Sequence, residues 1–409
     1  MFASFSVLIA IAAIFSWVNT KWLKLPATIG LMILALVMAG LTISMQHVSK
    51  PVYDLFCNLV INSDFHTLVM DVMLSFLLFA GAMHVDIRKL ATEKTAVLVF
   101  ATVGTLISTV IIGALLFGAA QLLNVEMSFM TGLLFGALIS PTDPIAVLSL
   151  LQKAGIAEKL QLRIEGESLF NDGVGVVVFT VILALSGYGH EGQGEELNIG
   201  MLFLKEGVGG LVYGLGIGWL GFQMMRTVIT DPKTSVLISL AIASGGYGLA
   251  AELGLSGPLA MVAAGLYVGN RISSADFDQN TYRFLDIFWE MLDDTLNAVL
   301  FVFIGLVVHT IVWNSQWILL SGFAVIIVLL ARYIATGALI NMFAHHEHKK
   351  SSTVAILTWG GLRGGISVAL ALSLPDQIRD LLLAITYPVV IFSIIVQGLS
   401  IGWVVKKLG

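Results

Sequence analysis

The stretch GALISPTDPIAVLSLL, Gly136–Leu151, is an apolar run interrupted near its centre by Pro141 and Pro144, which bracket Thr142 and Asp143. An interior proline leaves a carbonyl without its helical donor, so this run reads as a helix broken at mid-length beside a carboxylate. A second run, TWGGLRGGISVALALSL, Thr358–Leu374, is broken in another way. Gly360, Gly361, Gly364 and Gly365 surround Arg363 and permit an unwound or closely packed backbone.

The surroundings of these breaks follow from composition. Of 409 residues, 57% are hydrophobic and only 11% charged, with a mean hydropathy of +0.94. A soluble domain carries roughly one-quarter charged residues, so the chain is an integral membrane protein of helical class. The single cysteine, Cys57, cannot close an intramolecular disulfide, and no spaced Cys/His cluster suggests a resident metal. The first residues, MFASFSVLIAIAAIFSWVN, lack a basic leader and a cleavage site and read as a first spanning helix.

Windows of about 20 apolar residues predict thirteen spans: 2–19, 25–45, 67–85, 95–123, 128–152, 163–187, 200–225, 234–252, 256–269, 286–312, 317–344, 353–374 and 380–405. No soluble domain is left over, so residues 1–409 read as one membrane domain. Sixteen of the 21 Lys and Arg fall in one set of alternating connections and the C-terminal tail, against only Lys50 and Arg379 in the other set. The positive-inside rule then places the C-terminus in the cytoplasm and the N-terminus outside. The longest external segment, GYGHEGQGEELN, reads as a solvated loop at a seam between two halves.

The two breaks lie in the fifth and twelfth predicted spans. Seven spans apart, they cross the bilayer in opposite directions, as a six-helix inverted repeat with helices one to six matching eight to thirteen requires. Irregular backbone at mid-depth is tolerated only where protein encloses it or it lines a polar cavity. Opposed half-helix ends and freed carbonyls there make a site for a small ion, with Asp143, Asp172 and Arg363 supplying charge.

Between the breaks lies GESLFNDGVGVVVF, Gly166–Phe179, with Glu167, Asn171 and Asp172 inside an apolar helix. A midspan ionisable residue costs about 2.5 to 3.5 kcal/mol even on lenient scales and is a functional hypothesis by default. Residues four apart share a helix face, so Ser168 lies under Asp172, and Glu167 lies under Asn171. Ser168 and Asp172 are assigned to the ion, facing Thr142 and Asp143. Glu167 is assigned to a buried pair with Arg363, since a lone mid-depth arginine is far costlier than a paired one. Asn171 is expected to bond to a broken helix as an uncharged polar bridge.

These three motifs, PTDP, ESLFNDGVGVVVF and GGLRGGISVALAL, in this order at the fifth, sixth and twelfth spans, resemble the monovalent cation/proton antiporter family of bacterial NhaP-type antiporters and animal sodium/proton exchangers. The resemblance covers essentially the whole chain. It implies unwound, crossing helices five and twelve and a homodimer. It also implies an ion-transporting core, 67–187 and 286–405, that moves past scaffold helices 1–45 and 200–270. Asp172 would be shared between cation and proton, with Thr142, Asp143 and Ser168 shaping the site of the transported Na⁺, and with Glu167 and Arg363 structural. No cofactor is implied beyond the transported ions, Na⁺, Li⁺ or K⁺ and H⁺, and no partner beyond membrane lipid and a second copy; nucleic acid is not expected. The localisation implied is the cell membrane and the role pH homeostasis.

The chain departs from the family in the third span. Many relatives carry an acid in a Phe-Glu-Gly or Leu-Asp-Ala-Gly context, where SFLLFAGAMHVD has Phe79 and Ala80. Neither Asp86 nor Asp71 replaces it, which leaves the choice among Na⁺, Li⁺ and K⁺ open.

One carboxylate with two occupants gives obligate exchange, because the site crosses neutralised by either ion and crosses poorly empty. Asparagine at 171, where electrogenic relatives have a second aspartate, leaves one titrating group and predicts electroneutral one-for-one exchange. Competing classes are a cation channel, for which no repeated filter sequence exists, and an intramembrane protease using Asp143 and Asp172, which leaves Arg363 and the inverted pairing unexplained. Glu290, Asp293 and Asp294 read as interfacial, with an entrance funnel as the other reading. Arg332 is expected to pair with an acid that the sequence does not identify, and Lys205 to snorkel. His345, His346 and His348 read as a solvated loop, with pH sensing as the alternative.

Overall fold

The computed structural model describes residues 2–45, 54, 67–143, 148, 151, 155–188, 199–273, 277–343 and 350–408, and every regular element among them is helical. The long helices are α1 (Phe2–Val18), α2 (Ala27–Ser44), α3 (Leu68–Met83), α4 (Lys94–Leu122), α5 (Phe129–Ile139), α6 (Glu158–Leu185) and α7 (Gly200–Thr227). They continue as α8 (Pro232–Glu252), α9 (Gly257–Ile272), α10 (Gln279–Leu306), α11 (Ser315–Phe343), α12 (Lys350–Gly360), α13 (Gly365–Leu372) and α14 (Asp376–Leu408).

Among the described residues nine helices are long and apolar enough to cross a membrane, or ten if α12 and α13 form one bent span. Length and composition therefore stop short of the thirteen predicted spans. Two shorter apolar helices, α3 and α5, fall below that length, and α5 ends early because the PTDP break stops it. Pro144, Cys57, Lys50, most of the GYGHEGQGEELN segment and the three loop histidines, His345, His346 and His348, lie outside the described residues.

Side-chain caps mark where several helices begin. Ser128 caps α5 through Thr131 N at 3.0 Å, Asp278 caps α10 through Thr281 N at 2.8 Å, and Asp231 caps α8, whose first residue is Pro232. Asp86 is also a cap, accepting from Arg88 N at 2.8 Å at the start of the short turn Ile87–Leu90. Bare backbone donors at the ends of apolar helices are thus met by short polar side chains.

Small residues set the closest approaches. On α7, Gly210, Gly214 and Gly218 recur every four residues and meet Ser256, Ala260 and Ala264 at the start of and along α9. Lipid tails are as apolar as leucine, so helices in a bilayer associate by such backbone proximity. The same device joins α4 to α5, where a Cβ on Gly132 would lie 2.7 Å from the Gly113 carbonyl.

The two breaks meet inside the molecule. The chain leaves α5 at Ile139 and runs without helix through Asp143, while α12 and α13 are bent by 50° across Gly361–Gly364. The Asp143 N–H donates to the Leu362 carbonyl at 2.8 Å, so one break is fastened backbone to backbone onto the other. Helix α5 packs on α6, α13 and α14, which hold the crossing from three sides.

Candidate ion-binding site

Breaking two helices at mid-depth frees carbonyls that need donors. Arg363 supplies them at the end of α5: its Nη1 donates to the Ser140 carbonyl and, at 3.0 Å, to that of Pro141. A buried cation there also faces the negative end of the α5 dipole. The Arg363 N–H donates in turn to Ser393 Oγ of α14 at 2.8 Å, and Gln397 Nε2 donates to the Trp359 carbonyl at 3.1 Å. The crossing is thereby satisfied from α14.

On the other side α6 grips the PTDP segment. Asn171 Nδ2 donates to Thr142 Oγ1 at 2.9 Å, while Asn171 Oδ1 accepts from Thr142 N–H at 3.2 Å. Ser168 Oγ donates to the Thr142 carbonyl. Both polar columns of α6 therefore converge on Thr142. Gly175 lies against the Pro141 ring with no room for a Cβ, which lets α6 come this close.

Asp143, Thr142, Ser168 and Asp172 line one cavity of about 520 Å³. Asp143 and Asp172 lie within electrostatic reach of one another. Gly364 borders them: a Cβ there would fall 2.5 Å from Asp143 Oδ2. The two carboxylates and two hydroxyls on this wall are a set of oxygen groups, the chemistry that suits a hard cation. Asn171 stands behind this set and positions Thr142.

The expected pairing of Glu167 with Arg363 is corrected by the geometry. The Glu167 Oε1 ion pair is with Arg332 Nη1 of α11, both side chains being more than nine-tenths buried. Arg332 thus has the acid that the sequence left unnamed. Its guanidinium lies against Gly361, where a Cβ would come within 2.9 Å of Nε, so the glycine-rich break makes space for one arginine while Arg363 turns to the α5 carbonyls. Arg363 still feels the charges of both Glu167 and Arg332.

Of the two readings of the α10 acids, the entrance funnel is the one the cavity supports, with Glu290 and Asp294 exposed and Asp293 half-buried on its wall. The helix starts at Gln279, seven residues earlier than hydropathy suggests, which carries Glu290, Asp293 and Asp294 deeper along it. They line the same cavity as Asp172, together with Glu165, His84 and Asn297. The early charged turn of α10 hid this from a hydropathy window. Asn297, one turn after Asp293, was the available signal. At Phe79 the third helix is apolar as read: its ring is fully buried and packs on Trp289 of α10 with centroids 4.7 Å apart.

A profile of the family described as "Sodium/hydrogen exchanger, transmembrane" matches residues 8–407. The chain belongs to the sodium/hydrogen exchanger family. It is 41% identical over 408 residues to the Na⁺/H⁺ antiporter NhaP of Pseudomonas aeruginosa, covering 98% of this chain and 95% of that one. It is 34% identical to the Na⁺/H⁺ antiporter NhaH of Halobacillus dabanensis, covering 95% and 93%. The fold is that of the sodium proton antiporter MjNhaP1 from Methanocaldococcus jannaschii, with a TM-score of 0.72 at 20% identity, covering 100% of this chain and 98% of the other. The exchanger is a multi-pass membrane protein of a family of secondary transporters, not of enzymes.

Proposed function

We propose that this exchanger moves Na⁺ and H⁺ in opposite directions, one for one, with Asp172 as their shared binding group. The observation that carries this reading is the position of Asp172: a carboxylate at the middle of α6 that shares one cavity with Asp143, Thr142 and Ser168 beside two crossing helix breaks. A bare carboxylate held away from water is costly. Either a proton or a cation relieves that cost, and the two exclude one another. The loaded site reorients and the empty one does not, which is the condition for exchange without leak. Because Asn171 is uncharged, one titrating group is loaded and unloaded per cycle, and the exchange is electroneutral.

The reading extends to the whole molecule. Residues 67–187 and 286–405 form the moving core and 1–45 and 200–270 the scaffold through which two copies associate as a homodimer. The end of the bundle bearing Lys89, Lys159 and Arg163 faces the cytoplasm of a cell whose plasma membrane holds the protein. A cytoplasmic C-terminus follows from the same charge asymmetry.

A K⁺/H⁺ preference is the second reading, and a specific feature favours it: Phe79 and Ala80 are fully buried and apolar, so α3 adds no carboxylate at these positions. A weaker field favours the larger, less strongly hydrated ion.

The test is dissipation of an imposed pH gradient in proteoliposomes on addition of Na⁺, Li⁺ or K⁺. Wild type is expected to exchange and Asp172→Asn to be inactive, with the ion series reporting selectivity and the rate indifferent to an imposed membrane potential. Exchange by Asp172→Asn at the wild-type rate refutes the assignment of Asp172, and a rate that follows the potential refutes one-for-one exchange.

A further inference from the structure

We infer that His84 is a pH-dependent control on cation entry: as an imidazolium it neutralises Asp286 and weakens the pull of the acidic cavity on Na⁺, and on losing its proton it restores that pull. The inference rests on the proposed role of Asp172 as the transport site and deepens it by placing a regulator on the wall of the same cavity.

The ring contacts of His84 are the first support. The residue is the C-terminal cap of α3, and its ring lies between two oxygens. Nδ1 is 2.8 Å from the Ala80 carbonyl and Nε2 is 3.4 Å from Asp286 Oδ1 of α10. A carbonyl and a carboxylate only accept, so both contacts are favourable together only when both ring nitrogens carry protons. In the neutral ring Nδ1 keeps its proton on the carbonyl, and Nε2 turns a lone pair towards the carboxylate. The pair with Asp286 therefore holds while His84 is charged and loosens when it is not. Both side chains are about one-third exposed, so protons reach the ring from water. Imidazole is the side chain that ordinarily changes charge between about pH 5 and 8.

Placement is the second support. His84 shares the cavity with Glu165, Glu290, Asp293, Asp294, Asp143 and Asp172, and among the described residues no lysine or arginine lines it. A recess walled by one sign of charge concentrates the opposite ion, and His84 is the lining group that can add the other sign. The remaining charges on the neighbouring elements stand outside the cavity. Asp86 caps the next turn through Arg88 N–H, Lys89 pairs with Glu158 at 2.7 Å, and Arg271 of α9 lies over the Tyr267 ring. At the start of α6, Lys159 and Arg163 hold Glu93. The Arg88 side chain, Lys233 of α8 and Arg283 of α10 are likewise absent from the cavity wall.

The sign of the effect follows. As pH rises and His84 loses its proton, the wall loses its one positive charge and Asp286 is left uncompensated, so Na⁺ is drawn in more strongly. As pH falls, the pull weakens. This acts on recruitment of the cation and adds to its competition with protons at Asp172. Because it is electrostatic and close to water, it is screened by salt.

The test is the apparent KM for Na⁺ in everted membrane vesicles, whose outer face is the cytoplasmic one, at about pH 6 and about pH 8.5. His84→Gln, which keeps a donor for the Ala80 carbonyl, is expected to lower the KM about threefold at the acid pH and to match wild type at the alkaline pH, with the rate at saturating Na⁺ kept. His84→Lys, a cation at both pH values, is expected to match wild type at the acid pH and to raise the KM about threefold at the alkaline pH. Added choline chloride should shrink both differences. A KM unchanged at both pH values in the two variants overturns the inference, as does a KM altered by the same factor at both, or a difference that high salt leaves intact. If His84→Gln does not fold, His84→Lys carries the test alone. Failure of the underlying reading looks different: Asp172→Asn itself would transport.

Discussion

Glu167, Arg332 and Arg363 are three buried charges of which two attract one another directly, and the third is held by carbonyls. Taking one member from a buried pair strands the other, typically at a cost of about 3 to 5 kcal/mol. Glu167→Gln is therefore expected to lower the thermal unfolding temperature of the purified protein in detergent substantially, and Glu167→Gln/Arg332→Gln to recover part of the loss because neither charge is then left alone. Equal or greater loss in the double variant would show that Arg363, not Arg332, depends on Glu167. At this scale the residues themselves were legible: Asp172, Asp143, Thr142 and Ser168 face one cavity as their positions in the motifs suggest. The pairing of Glu167 was not legible. Two arginines on different spans lie within reach of one carboxylate, and which takes it depends on the space that Gly361 leaves and on the carbonyls that α5 exposes.

At the scale of elements the site is two broken helices held in register by few bonds: Asp143 N–H to the Leu362 carbonyl, Asn171 to the N–H and the hydroxyl of Thr142, and Arg363 N–H to Ser393. Ser393→Ala leaves a buried N–H without an acceptor and is expected to cost about 1 to 3 kcal/mol of stability, read by thermal unfolding. Gly364→Ala is expected to act on transport instead. Its new Cβ falls 2.5 Å from Asp143 Oδ2, so the carboxylate must move, and exchange in proteoliposomes should drop sharply while the protein stays monodisperse. Unaltered exchange by this variant would mean that Asp143 is free to shift without consequence. The breaks were visible in advance because each interrupts an apolar run with proline or clustered glycine around a charged residue, Asp143 in one and Arg363 in the other. The start of α10 was not, since a helix whose first turns are charged and lie beyond the apolar stretch is invisible to a hydropathy window.

For the whole molecule the shared site makes a prediction about pH. Protons and Na⁺ exclude one another at Asp172, so the rate of Na⁺ exchange falls as pH falls, and more Na⁺ opposes the fall. Raising Na⁺ tenfold is expected to move the acid limb of the rate–pH profile about one pH unit towards acid, measured in proteoliposomes over a series of Na⁺ concentrations. A limb that stays in place would put the proton on a different group from the cation. The bilayer explains why so much of the architecture could be read from the chain alone. With no water to satisfy backbone groups, a spanning segment is helical wherever it is apolar, and every proline break, glycine cluster or midspan charge is an exception with a reason. Membrane class, helical fold, the two opposed breaks and the carboxylate between them were therefore determined by the sequence itself. Tertiary structure decided which buried charges pair, that Asn171 and Ser168 both close on Thr142, and that the α10 acids share the cavity of Asp172. Those outcomes depend on distances between helices, and such distances are set by close packing of small residues on many elements at once, which no single segment encodes.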